Sequence, residues 1–168
     1  MKERKMNNKG FSLVELIIVI AIMAILIVVL APQYLKYVEK SRNSTDVTNA
    51  TEIVTALQVY ASDPDATVKI PTSAVTVTVN GSGTTLGDTS GFLEAALKEA
   101  GLADSSGTVS TSCVSKSNWV SYVITATPDN GGLKFTYSAK DATGGAASKF
   151  SDMMSGKTSA SKDDEKTE

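Results

Sequence analysis

The sequence predicts an α+β chain: one long N-terminal helix followed by a small antiparallel sheet. Three observations predict it. Residues 11–35 form an apolar run whose only charged residue is Glu15, far longer than an ordinary strand. Ala50, Ile53, Val54, Leu57, Tyr60 and Ala61 recur at helical spacing and form one apolar stripe. Further on, Ala74–Val79 alternates strictly, and Trp119–Ala126 and Leu133–Ser138 read as two more strands.

The first element begins after the basic stretch MKERKMNNKG. From Phe11 to Leu35 there are 25 residues, about 37 Å of helix at roughly 1.5 Å per residue. A bilayer core is about 30 Å thick, so the segment is long enough to span it. A cleavable secretory signal fits less well, because the uncharged run Leu16–Ala31 exceeds the usual apolar region of about 7–15 residues. A core helix of a soluble protein fits less well too: a rod apolar on every face needs a much larger protein around it.

Glu15 is the residue that an ordinary membrane anchor leaves unexplained. A carboxylate in hydrocarbon costs several kcal/mol unless it is paired, so such residues are functional candidates. A cut between Gly10 and Phe11 would create an α-amino group four residues from Glu15. That is one helical turn away on the same face. The cut would thus supply the positive charge that Glu15 needs, in its own chain or in a staggered neighbour.

Lys9-Gly10-Phe11-Ser12-Leu13-Val14-Glu15 resembles the class III signal sequence of type IV pilins and the related pseudopilins. The shared pattern is a basic leader ending in Gly, then Phe, a small polar residue, Leu, an aliphatic residue and Glu. Pro32 matches a proline that the family carries farther along the same helix. The resemblance covers roughly residues 1–60 and is most specific in its first part. It implies cleavage after Gly10 by a membrane aspartyl protease, the prepilin peptidase, and N-methylation of the new N-terminus, Phe11. It also implies that Glu15 sets the register between subunits through the amine of a neighbouring Phe11. The implied partners are copies of the same chain, the prepilin peptidase, the pilus assembly machinery and, before assembly, membrane lipid. The implied location is the cytoplasmic membrane as a single-pass precursor with its N-terminus inside, then a cell-surface pilus serving adhesion, aggregation or motility. Charge alone gives only a slight preference for that orientation, since Lys36, Lys40 and Arg42 follow the span.

The remaining elements follow in order. Pro32 removes a backbone donor and crowds the carbonyl of Val28; a passive kink and a pliable assembly point are both open readings. Residues 36–62 form the amphipathic half of the helix. Ser41–Thr48 is a weak helix former expected to fray, and Asp63-Pro64-Asp65 ends the element. The head is expected over 63–150. In it, Asn80-Gly81 ends the first strand, and residues 90–101 make a short helix capped by Ser90 and stopped by Gly101. Pro128–Gly132 loops between the last two strands, and Leu133, Phe135 and Tyr137 share one face. From 151 to 168 the chain is polar and expected to be disordered. With the leader as 1–10 and the apolar segment as 11–35, the resemblance implies the pilin ladle: a long helix whose second half lies on a sheet.

Composition narrows the function. The first ten residues carry a net +3 of the chain's −2, which leaves −5 for the remainder. Such an acidic body, with no basic stripe, argues against nucleic acid. There is no histidine, hence neither the commonest general base nor the commonest metal ligand. No phosphate loop, metal cage or activated nucleophile is legible, so no enzyme, cofactor or metal is expected. The single cysteine, Cys113, reads as a partly buried small hydrophobe, with a reactive thiol or an intermolecular bridge as the alternatives. It departs from the many pilins that close a C-terminal loop with a disulfide. The expected function is therefore a structural pilus subunit. The rivals are a pseudopilin of a secretion or DNA-uptake machine and an extracellular binding domain that never polymerises.

The peptidase must fit the residue before the cut closely. Gly10→Ala is expected to be trimmed far better than Gly10→Leu, read as the fraction of chains that lose ten residues; equal trimming of the two would contradict this.

Overall fold

The computed structural model describes residues 11–157. The leader 1–10, with Gly10, and residues 158–168 of the expected tail lie outside the described residues. In chain order the elements are α1 (Leu13–Ser62), β1 (Val75–Asn80), β2 (Gly83–Gly87), α2 (Phe92–Glu99), β3 (Ser121–Asp129), β4 (Gly132–Lys140) and α3 (Ser148–Met154). The class is α+β, as the sequence predicts. By its internal contacts the chain divides into two units, Met1–Val38 and Glu39–Glu168.

In the first unit the described residues are almost all helix, and the helix assignment continues through Pro32. Every residue from 11 to 37 is exposed. By length and composition this helix is able to cross a membrane.

The second unit is built on an antiparallel sheet of order β2-β1-β3-β4. Its core face is set by the alternation in β1. Val75, Val77 and Val79 pair with Ala126, Ile124 and Tyr122 of β3, and all six are buried. The same row continues outward, with Leu86 of β2 opposite Val77 and Tyr137 of β4 opposite Ile124. Leu133, Phe135 and Tyr137 share that face but are only half-buried, because β4 is an edge strand. The stripe Ala50, Ile53, Val54, Leu57 and Tyr60 of α1 joins the sheet residues and Phe92, Leu93, Ala96 and Leu97 of α2 in one hydrophobic cluster.

Several local details differ from the sequence reading, each for a physical reason. Strand β2 was not anticipated, since GTTLG carries too little alternation to announce itself; it forms by pairing along β1. The loop between β3 and β4 is only Asn130-Gly131, both left-handed at φ 46° and 84°, the geometry of a tight two-residue hairpin. Pro128 lies inside β3 opposite Leu133. It is tolerated because β1 pairs with β3 only as far as Ala126, so β4 is its sole neighbour there.

The cap of α2 is shared rather than supplied by Ser90 alone. Gly91 is the cap residue, while the Phe92 amide donates to Ser90 Oγ (3.3 Å) and the Leu93 amide to Asp88 Oδ2 (2.8 Å). At the other end Gly101, at φ 72°, lets the Leu102 amide reach the Leu97 carbonyl at 2.8 Å and its own amide reach Lys98 at 3.0 Å.

The expected fray at Ser41–Thr48 does not occur; the stretch is helical throughout. Ser44, Thr45 and Thr48 turn their hydroxyls back onto carbonyls four residues earlier, and Asn43 and Asp46 are buried. The expected tail boundary at Ser151 falls inside α3, which runs to Met154. Phe150 explains this. Its ring is fully buried, edge-on to Trp119 at 5.3 Å and stacked on Tyr122 at 4.6 Å. An aromatic ring held on two sides offsets the entropy of ordering one short helix.

Leu57 is fully buried at the centre of the stripe. Leu57→Ala is expected to destabilise the second unit by about 2–5 kcal/mol. Denaturant unfolding of the detergent-solubilised chain, followed by the fluorescence of its one tryptophan, Trp119, measures it. A loss below about 1 kcal/mol would contradict the packing described.

Candidate functional site

Of the residues singled out from the sequence, Phe11, Glu15 and Pro32 lie in the first unit. Phe11 is 93% exposed and precedes the helix. Ser12 caps it: the Val14 amide donates to Ser12 Oγ at 3.4 Å, and the Ser12 amide donates to Glu15 Oε2 at 2.9 Å. This reciprocal exchange is a capping box. Glu15 thus serves the terminus of its own helix.

Pro32 sits mid-helix with its ring in the open, followed by exposed Tyr34, Leu35 and Tyr37. What this unit presents is chemical monotony: from Leu16 to Leu30 every side chain is Leu, Ile, Val, Met or Ala, and all are exposed. Such a surface has no stable state in water by itself. At about 25 cal/mol per Å² it drives the helix into lipid or against other apolar helices.

The second unit holds a polar centre that the sequence reading missed. Asp46 of α1 is fully buried. Its Oδ1 accepts the Val114 amide at 2.9 Å. Its Oδ2 accepts the Ser115 amide at 3.0 Å, the Trp119 indole Nε1–H at 2.8 Å and the Cys113 thiol at 3.4 Å. Two turns earlier, Glu39 Oε1 accepts the Ser115 hydroxyl at 2.7 Å and the Lys116 and Ser117 amides at 2.8 Å each. The two carboxylates thus gather the amides of one irregular segment, residues 113–119, onto one helix.

A signal for it exists. Glu39, Asn43 and Asp46 stand four and three residues apart and prolong the apolar stripe through Ala50, Ile53, Leu57 and Tyr60. Polar residues on a buried stripe are the informative exceptions.

The electrostatics follow from these contacts. Burial acts to raise the pKa of Glu39. The Ser117 amide, the Ser115 hydroxyl and the Lys116 and Asn118 amides outweigh it and hold the group at about 2, against an ordinary 4.5. Burial, then the charge of Asp46, pushes the Cys113 thiol up to about 12. Such a thiol stays protonated near neutral pH and is a poor nucleophile. Asp46 engages both of its oxygens with fixed donors, whereas Glu39 gathers its hydrogen bonds on Oε1 and turns Oε2 toward the Arg42 guanidinium at 3.5 Å. The centre is therefore a structural tie between α1 and residues 113–119. Among the described residues no group of three or more His, Cys, Asp or Glu is placed to hold a metal ion.

The family model described as the prokaryotic N-terminal methylation motif matches residues 5–31. Nothing among the curated proteins or the solved structures matches the chain.

Because the folded pKa of Glu39 lies below its unfolded value, its contribution to stability is complete above about pH 4.5 and is lost as pH falls toward 2. Glu39→Gln is expected to flatten part of the acid limb of stability against pH in that window, while Asp88, also shifted down, keeps a remainder. An unchanged acid limb in the variant would contradict the assignment.

Proposed function

We propose that the prokaryotic N-terminal methylation motif, the class III signal sequence of type IV pilins, marks this chain as a pilus subunit precursor. Prepilin peptidase cuts after Gly10 and methylates Phe11. Residues 11–35 then hold the chain in the cytoplasmic membrane with the second unit outside. The assembly machinery draws copies into a surface filament whose core is this helix. Residues 36–62 and 63–150 make up the outward part.

The observation that carries this reading is the pairing of the matched motif with a helix exposed along its whole apolar length. Bundling copies hides that surface once it leaves the bilayer. Cutting supplies the amine, and in a bundle Glu15 is best satisfied by the Phe11 amine of a neighbour. A buried carboxylate that loses its partner costs about 3–5 kcal/mol, so a wrong stagger is penalised. Glu15 would exchange the capping contact seen in the single chain for that intermolecular one. The apolar helix and the buried polar tie give no support to a catalytic role.

Glu15→Ala is expected to insert and be trimmed normally but to yield at least about tenfold less surface fibre. Intact mass reports removal of ten residues and one added methyl, and electron microscopy reports fibres. Normal fibre yield from the variant would refute the pairing. A trimmed, methylated chain that forms no long fibres when overexpressed would be a pseudopilin. A chain recovered with Met1 in place would overturn the reading entirely.

A further inference from the structure

Within the second unit, a groove of about 670 Å³ runs between α1 and the end of α2. Val47, Thr51, Thr55, Val59, Ala96 and Leu102 are among its lining residues. Thr51 and Thr55 donate their hydroxyls to Val47 and Thr51 carbonyls of their own helix at 2.8 Å. With their polar atoms so engaged, these threonines behave as apolar lining. Val59, 65% exposed, is the one large hydrophobic of the second unit that stands this open among the described residues. Two acids, Glu52 and Glu99, line the same groove. Both are exposed, and neither forms an ion pair among the described residues.

The chain also carries the complement. A bilayer core takes about 20 residues of helix, which from Leu13 ends near Pro32. Tyr34, Leu35 and Tyr37 lie past that point and are 68%, 65% and 71% exposed. Lys36 and Lys40, one helical turn apart, flank them and form no ion pair among the described residues. In a membrane such a collar sits at the lipid headgroups. A filament offers no headgroups, so the collar needs another amphipathic cover, apolar at the centre and acidic at the rim.

We propose that the α1–α2 groove of one copy seats the Tyr34–Lys40 collar of a second copy, with Lys36 and Lys40 against Glu52 and Glu99. This rests on the polymer reading and names a contact within it. Groove and collar are different surfaces, so the contact is heterologous. Repeated from copy to copy it leaves one of each free at the ends and propagates instead of closing into a pair. The collar thus trades lipid for protein at the moment of extraction from the membrane.

The test uses the full chain in cells that assemble it. Ala100, exposed and on the groove, and Tyr37 are each replaced by Cys, singly and together, and sheared fibres are oxidised and run without reductant. The double variant is expected to give a ladder of disulfide-linked multimers, and each single variant monomers. Glu99→Lys is expected to lower fibre yield about tenfold, and adding Lys36→Glu to restore most of it. A dimer from Ala100→Cys alone would show groove meeting groove and overturn the collar as occupant. So would an internal disulfide within single chains of the double variant. Normal fibres that give no ladder, together with no loss from Glu99→Lys, would overturn the contact while leaving the polymer reading intact. Absence of trimmed chain and fibre from the unsubstituted protein would overturn the polymer reading instead.

Discussion

Asp46 is the group on which the second unit's architecture turns. One buried carboxylate takes two backbone amides, an indole N–H and a thiol. It thereby fixes a segment that has no regular structure of its own. Trp119, held by that bond, packs edge-on against Phe150, and Phe150 stacks on Tyr122. Order therefore passes from α1 through an irregular loop to α3. Buried donors of this kind are costly to strand, about 1–3 kcal/mol each. Glu39, also buried, repeats the device two turns earlier, where the arriving amides and the Ser115 hydroxyl outweigh desolvation.

This tie takes the place that a covalent link would fill in a head of this size. The chain has one cysteine, so no internal disulfide can close its C-terminal part. Cys113 instead spends its thiol proton on Asp46. The cross-link is made of hydrogen bonds, with reach from α1 to a segment about 70 residues later. It is kept strong by exclusion of water. A lone hydrogen bond at the surface would not hold the same segment, because water competes for every donor.

The two parts of α1 are built for different surroundings. In its first part the apolar residues cover every face, a surface suited to lipid or to a bundle of equal helices. In its continuation beyond Glu39 one stripe is buried and the rest carries polar residues. The proposed filament role uses both parts: the first supplies the driving force for bundling, and the second fixes the outward fold to the same rod. The collar at Tyr34–Lys40 marks the change from one regime to the other.

Much of this was legible in the residues alone. The apolar run, its single acid and the Lys9–Glu15 signature are local in sequence, and their meaning does not depend on what folds against them. The stripe Ala50–Tyr60, the valine alternation of β1 and the helix stop at Gly101 are equally local, because period and steric preference belong to neighbouring residues. Strand β2, the order of α3, the helicity of Ser41–Thr48 and the roles of Glu39 and Asp46 were decided by the tertiary structure. Phe150 depends on two aromatic rings and the carboxylates on the amides of residues 114–118, partners remote in the chain, whereas β2 pairs with its near neighbour β1 across Gly81-Ser82 and lacks a pattern of its own to show it. A polar residue on a helix looks solvated until the donors that desolvate it arrive, and periodicity carries no information about their arrival.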